Sequence, residues 1–424
     1  MPNTTDNGAQ VLVIGGGAAG LLAAGSAARR GFAVTVIERN PHMARKVMIT
    51  GKGRCNVTNN CSVQEFIAHV PSNGRFLYSA LSAFGPQDTM NLLEELGVPL
   101  KTERGNRVFP CSDKAVDIVD ALVKYARTGG VRFLQGRATG LRIEDGVCTG
   151  VRLEDGRVLP AYAAVVCTGG LSYPLTGSTG DGYALARQAG HTVTPLRPSL
   201  VPLESPDGFC AEMQGLSLRN VAAKVIDNES GRVIYEDFGE MLFTHFGVSG
   251  PLVLSASAHM RQMEPGRYRL VLDLKPALTP EQLDARLLRE LGESPNSQAG
   301  SILGALLPRK MIPVAARLAG IPTEQRAHDI TRGQRMALAG LLKAFPVAVS
   351  GFRPVEEAIV TSGGVAVREI DAKTMQSKKV SGLYFAGEVL DVDAYTGGFN
   401  LQIAWATGRA AGAAAAQQEG KETQ

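Results

Sequence analysis

Cysteine is scarce in this 424-residue chain: the six (55, 61, 111, 148, 167 and 210) form no C-x-x-C pair and no His/Cys cluster. That pattern excludes a zinc site by its usual spacing, and a chain this long does not need a disulfide framework. A reducing, cytoplasmic compartment is expected. An excess of one charge is also missing. Lys and Arg number 44 against 40 Asp and Glu, a formal net charge of +4. The chain does not announce itself as a nucleic-acid binder by charge, and it does not oppose an anionic substrate. There are no internal repeats, and low complexity is confined to residues 1–9 and 417–424. One stretch, Val11 to Ala28, lacks charge over eighteen residues, the length of a membrane span or a signal segment. No Lys or Arg precedes it in residues 1–10 and five glycines interrupt it, so no membrane segment is expected.

At 44% hydrophobic and 20% charged residues the chain is an ordinary globular one, neither disordered nor collagen-like. Its length suggests two or three domains at roughly 150 residues each. Glycine is plentiful at 49 residues, as a chain needs where backbone turns tightly or approaches a ligand.

The charge-free stretch divides into a β-branched run, Val11-Leu12-Val13-Ile14, a glycine turn and an Ala/Leu-rich helix. Gly15-Gly16-Gly17-Ala18-Ala19-Gly20 fits G-x-G-x-x-G after a strand and at the start of a helix. Gly15 permits the turn, Gly17 admits a diphosphate to the backbone, and Gly20 lets helix and strand pack closely. The diphosphate then meets the N–H groups and positive dipole of the helix start. A second strand, Ala33 to Ile37, ends in Glu38, 23 positions after Gly15 and suited to an adenosine ribose. Together these predict a bound dinucleotide, with Ala18, Ala19 and Arg39 also at its edge.

Later features favour a flavin. Arg45 to Asn59, which includes Lys46, Gly53, Arg54, Asn56 and Thr58, is too polar and glycine-rich for a crossover helix and is expected to be a loop. Turn signals at Asp145-Gly146 and Asp155-Gly156 predict a β-meander. Val165-Val166-Cys167-Thr168-Gly169-Gly170 reads as a buried strand ending in a glycine turn. Gly382 to Glu388 is a strand whose end presents Gly387 and a carboxylate, Glu388, to a ribityl chain. Thr396-Gly397-Gly398-Phe399-Asn400-Leu401 opens an Ala-rich helix running to Ala416, whose N-terminus faces the anionic side of a reduced flavin.

The chain resembles the BaiN/RdsA family of NAD(P)/FAD-dependent oxidoreductases, also named after aminoacetone oxidase. The resemblance spans nearly the whole sequence. It rests on Gly51-Lys52-Gly53-Arg54-Cys55-Asn56-Val57-Thr58-Asn59, on Thr168 to Pro174, on Thr176 to Tyr183, on Leu242 to Pro251, and on Gly387 to Gly398. Lys52 departs from the pattern, since many relatives have Gly or Asn there. The resemblance implies an α/β fold: a Rossmann-like FAD domain of the two-dinucleotide-fold flavoprotein type (1–195 and 350–424), an inserted β-barrel-like domain (196–277, with part of 345–365) and a helical domain (278–345). In the sequence itself, Val221–Asp227 and Tyr268–Leu274 read as strands, and Thr279 with Gln282 reads as a helix start. Val360 to Val365 returns the chain toward the flavin domain.

Only one dinucleotide fingerprint is present. FAD is expected to occupy it, with NADH or NADPH docking transiently. Three side chains are candidate proton donors: Cys55, against a buried small hydrophobe; His245, against a satisfied core histidine; and Tyr173, against a packing role. Arg54 is a candidate for a phosphate or a carbonyl, Asn56 and Thr58 for the flavin edge, and Arg107 for an anion. The family implies reduction of a C=C bond, with uridine of 23S ribosomal RNA the leading substrate. A bile-acid or steroid enone reductase and an aminoketone oxidase are alternatives, and a non-enzymatic FAD-bound electron carrier is a third. RNA needs a basic surface, for which Arg75, Lys101, Arg104, Arg107, Arg309, Lys310, Lys378 and Lys379 are available.

Overall fold

The structure, a computed structural model, describes residues 10–417; the low-complexity ends at 1–9 and 418–424 lie outside the described residues. The chain divides into two units, one of residues up to 199 with 358 onward, the other of 200–357.

The first unit is built on a parallel sheet. Strand β1 (Gln10–Ile14), helix α1 (Ala18–Ala28) and strand β2 (Ala33–Glu38) follow the sequence reading closely. Helix α2 (Arg45–Ile49) occupies the start of the stretch expected to be a loop. Its five residues include no Gly or Pro, so one turn of helix forms before the glycines begin. Gly51 and Lys52 then take left-handed backbone, φ 56° and 60°, and end it. The crossover is instead made by helix α3 (Ala115–Thr128), which leads to β3 (Arg132–Gln135). Strand β4 (Ala163–Val166), helix α4 (Asp181–Gln188), strand β5 (Leu383–Phe385) and helix α5 (Phe399–Ala415) complete the frame.

The sheet order is β5-β4-β1-β2-β3, with every pair parallel. Val13 stands between Val36 and Val165. All three are buried, as apolar runs in a sheet covered on both faces must be. Helices α1 and α5 approach so closely that a Cβ on Gly408 would lie 2.3 Å from the Ala19 carbonyl oxygen, and one on Gly412 2.1 Å from that of Ala23.

Attached to this unit is the expected meander, Ala138–Glu144, Val147–Leu153 and Val158–Pro160, all antiparallel. A second small sheet places Arg107–Pro110 between Thr58–Asn59 and Leu100–Glu103. Arg197–Ser199 pairs with Val360–Ser362 as an antiparallel ribbon.

The second unit holds a seven-stranded antiparallel sheet whose long strands are Ser217–Asp227, Val233–Thr244 and Tyr268–Asp273. Its longest helices, Pro280–Glu293 and Arg332–Lys343, each start with a capping box, Thr279 with Gln282 and Thr331 with Gln334. No helix among the described residues is long and apolar enough to cross a membrane.

Candidate functional site

The carboxyl ends of all five parallel strands open into one cleft, lined by first-unit residues alone. Each strand contributes the residues just beyond its end: Gly15 and Gly17 after β1, Glu38 and Arg39 at β2, Gly136 and Arg137 after β3, Thr168 and Gly169 after β4, Gly387 and Glu388 after β5. A ligand crevice belongs at this edge of a doubly wound sheet.

The three fingerprint glycines divide their work as the motif requires. Gly15 has φ 101° and a Cβ there would meet the Cys167 carbonyl oxygen at 2.5 Å; one on Gly20 would meet that of Gly15 at 1.9 Å. Gly17 has nothing within 4 Å of its Cβ position and lines the cleft with Ala18 and Ala19. The start of α1 therefore offers open backbone to an anion. Thr168 Oγ1 is buried beside the same space with no hydrogen-bond partner among the described residues. The open Gly17 backbone and this orphaned hydroxyl fit a bound dinucleotide.

Glu38 is held for such a ligand. The Gly16 N–H donates to one carboxylate oxygen at 2.7 Å, and the Asn40 backbone and side-chain amides both donate to the other at 2.8 Å. Asn40 also donates to the Thr176 carbonyl at 3.0 Å, fastening the loop that bears Gly177 and Ser178 to the cleft. Nearby, Arg137 grips Asp181 through two bonds of 2.9 and 3.0 Å, and Arg39 reaches it at 3.2 Å. Hydrogen bonding from Arg137 holds the Asp181 carboxyl below its ordinary range.

Toward the other end of the lining, Lys46 donates to Glu388 at 2.6 Å and to the Ser172 hydroxyl at 2.7 Å. Ser172 in turn donates to the second Glu388 oxygen at 2.9 Å, which also accepts the Thr361 backbone N–H at 2.9 Å. Gly170 packs behind this network: a Cβ there would fall 2.5 Å from Thr361 Oγ1. Asn400 and Leu401, at the start of α5, line the cleft as well.

Several expected site residues stand apart from the lining. Thr58 is buried and donates to Gln402 at 2.7 Å, and Gly398 (φ 99°) lets Thr58 backbone pass within 2.4 Å of its Cβ position. Arg54 is engaged by Glu103 and Asp113 at 2.5 and 2.6 Å and lies 4.1 Å over the Phe109 ring. Gly53 is exposed, and Asn56 Oδ1 is buried without a partner among the described residues. Cys55 is fully buried at φ 59°, and burial pushes its thiol up to about 12. Tyr173 (φ 52°) precedes the Thr176–Ser178 lining segment, with the Lys46 ammonium 6.0 Å from its ring centre. His245 lies in the second unit, exposed between two strands with its ring 5.0 Å from that of Phe246; it is not a core histidine.

Sequence reading missed Asn40, Ser172, Thr361 and Arg137. Asn40 carried a local signal, an Asn two residues past the ribose carboxylate. The Gly136-Arg137 turn was also legible as the end of a strand. Ser172 and Thr361 carried none, since their partners lie far along the chain.

A parallel dinucleotide-binding sheet with this cleft defines a flavin-dependent oxidoreductase of the Rossmann type, an FAD protein. Residues 9–414 match the model for the HI0933-like protein Rossmann domain, and the chain belongs to that family, as its motifs implied. It is 33% identical over 410 residues to the 3-dehydro-bile acid delta(4,6)-reductase of Clostridium scindens, covering 96% of this chain and 98% of the relative. It is 34% identical over 398 residues to the ribosomal RNA dihydrouridine synthase of Escherichia coli, covering 93% and 95%. Among solved structures, the 3-ketosteroid-delta4-(5alpha)-dehydrogenase of Rhodococcus jostii RHA1 shares the fold at TM-score 0.53 and 16% identity, covering 98% of this chain and 99% of that one.

Proposed function

We propose that the chain reduces an activated carbon–carbon double bond at the expense of NADH or NADPH, with uridine of 23S ribosomal RNA as substrate. The observation that carries this reading is the 34% identity, over 95% of its length, to a protein named ribosomal RNA dihydrouridine synthase. FAD, when bound, supplies hydride transfer. The chain's own residues hold and orient. Glu38 presents acceptors to a ribose, the Gly17 backbone receives the diphosphate, and Lys46, Ser172 and Glu388 form a charged cradle further along the cleft.

Reduction of a double bond also needs a proton at the second carbon, which a side chain must deliver. Tyr173 is the best-supported donor, because its loop runs directly into the lining and its ring neighbours Lys46. Cys55 is fully buried, with its thiol pushed up by burial, and is not proposed as the donor. A ribosomal substrate also suits a cytoplasmic chain with six free cysteines.

The test is the dihydrouridine content of 23S ribosomal RNA, by mass spectrometry, with and without the gene. Loss of the base on deletion supports the reading, and an unchanged level overturns it. A second reading, reduction of a steroid-like enone, is favoured by the 33% identity to the bile-acid reductase over 98% of that protein. Turnover of such an enone by purified protein separates the two. Rapid-mixing reduction of the bound flavin by NADH or NADPH tests the donor, and no reduction by either overturns it.

A further inference from the structure

Eight basic residues were available in the sequence for contact with RNA, and the structure treats them unequally. Lys101 is paired with Asp113 at 2.8 Å, and Lys379 with Glu369 at 3.0 Å. Lys310 and Lys378 are turned onto backbone carbonyls, of Gln214 and Arg368. Arg75, Arg104, Arg107 and Arg309 are exposed, and among the described residues none of the four forms an ion pair; what sets two of them apart is that they stand together, Arg104 and Arg107. They sit at the turn of the hairpin Leu100–Glu103 and Arg107–Pro110, and Arg107 donates its Nε to the Arg104 carbonyl at 3.0 Å, which fixes the turn.

This hairpin is coupled to the cleft through backbone within the first unit. The side-chain amide of Asn59 donates to the Gly105 carbonyl at the hairpin tip (3.0 Å) and to the Gly397 carbonyl (3.1 Å). Gly397 lies two positions before Phe399, the start of α5, where Asn400 and Leu401 line the cleft. On the same side, the Val57 N–H donates to the Val108 carbonyl at 2.8 Å and the Asn60 N–H to the Asn106 carbonyl at 2.7 Å, so residues 57–60 are tied to the hairpin through backbone. The loop leading into that segment carries Lys52, exposed, unpaired among the described residues, and two positions beyond Thr50 of the lining. The acids of the patch, Glu103 and Asp113, are already consumed by Arg54 and Lys101.

We propose that Arg104, Arg107 and Lys52 form a phosphate-contacting rim that docks a single-stranded RNA segment beside the flavin cleft. The proposal rests on the RNA reading above and says where that substrate is gripped. Three free cations on a fixed hairpin and loop make a sequence-independent contact with a polyanion backbone. The nucleobase is presented to the cleft from the Asn59–Gly397 side, where Asn59 bridges the hairpin tip and the turn that precedes α5. A bile acid carries a single carboxylate and offers no run of phosphates for three spaced cations.

The experiment uses the FAD-loaded full chain and a 23S ribosomal RNA transcript, with affinity measured across a salt series. Arg104→Gln/Arg107→Gln is expected to lower the slope of log affinity against log salt by about 1.4, two single-strand phosphate contacts at about 0.7 each. Adding Lys52→Gln is expected to remove about 0.7 more. Flavin content and NAD(P)H oxidation by a small acceptor should stay at wild-type values in the double variant, which shows that it is folded and loaded. The control Arg309→Gln/Lys310→Gln should keep the wild-type slope. An unchanged slope in the double variant, or a fall only in the control, overturns the docking surface. If deletion of the gene still abolishes dihydrouridine, the RNA reading survives that result. A wild-type protein with no salt-dependent affinity, with dihydrouridine unchanged on deletion, overturns both.

Discussion

Lys46 and Glu388 stand 342 residues apart in the chain and 2.6 Å apart in the cleft. Ser172 touches both, so each oxygen of the carboxylate and the ammonium itself is committed before any ligand arrives. Glu388→Ala removes the acceptors and leaves the Lys46 charge without its partner. A hydrogen bond to a charged group contributes about 1.5–3 kcal/mol, so FAD is expected to dissociate about 10- to 100-fold more readily. Fluorescence titration of the apoprotein checks this. Lys46→Met with Glu388→Gln should cost less than the sum of the single changes, because the two act as one unit.

Gly17 and Gly20 separate cofactor binding from folding. A side chain at Gly17 projects into open cleft, whereas one at Gly20 strikes the Gly15 carbonyl at 1.9 Å. Gly17→Val should melt within about 0.5 kcal/mol of the wild-type apoprotein yet purify without flavin absorbance. Gly20→Ala should lose about 1–3 kcal/mol of stability through overpacking. Melting curves and the visible spectrum of the two variants decide it; equal behaviour would contradict the division of labour.

Glycines inside helices usually gain from replacement by Ala, by about 1 kcal/mol. Gly340 follows that rule, with nothing within 4 Å of its Cβ position. Gly408 and Gly412 reverse it, since the α1 carbonyl oxygens lie 2.3 and 2.1 Å from theirs. Urea titration should therefore show Gly340→Ala stabilised and Gly408→Ala destabilised.

His191 is buried between the Glu369 carboxylate at 3.0 Å and the Ser377 hydroxyl at 2.7 Å. Burial is the main influence and pulls its pKa below the ordinary 6.5, although Glu369 opposes that. The unfolded chain therefore takes up a proton first as pH falls. The stability His191 contributes is complete above about pH 6.5 and declines below it. Glu369, held at about 2 despite burial by bonds from Thr192, Lys379 and His191, loses its own contribution only below about pH 4.5. Between pH 5 and 6.5 the melting temperature should drop in the wild type and flatten in His191→Gln. A drop of equal slope in both would refute the assignment.

The fingerprint was legible because its logic is local: three glycines and a carboxylate at fixed spacing each carry a backbone requirement. The parallel strands were legible because a short apolar run ending in a glycine turn, such as Ala163–Val166 of β4, is stable only when buried on both faces. What was hidden depends on distant partners. Arg54 reads in sequence as a phosphate clamp, but Glu103 and Asp113, 49 and 59 residues away, engage it. The cradle around Glu388 draws on three separated segments, at 46, 172 and 361, and no spacing rule joins them. The helix over Arg45–Ile49 was obscured by the glycines that follow it.

The sheet is assembled from segments made early and late. Strand β5 and helix α5, residues 383–415, leave the ribosome after everything they pack against in the first unit. Until then a nascent chain owns the fingerprint loop but lacks Glu388, the Gly397–Gly398 turn and the partner that covers Ala19 and Ala23. Cofactor capture is therefore expected only after residues 383–415 have been made. A chain cut before residue 383 lacks Glu388 and leaves α1 uncovered, so it is expected to purify without flavin colour.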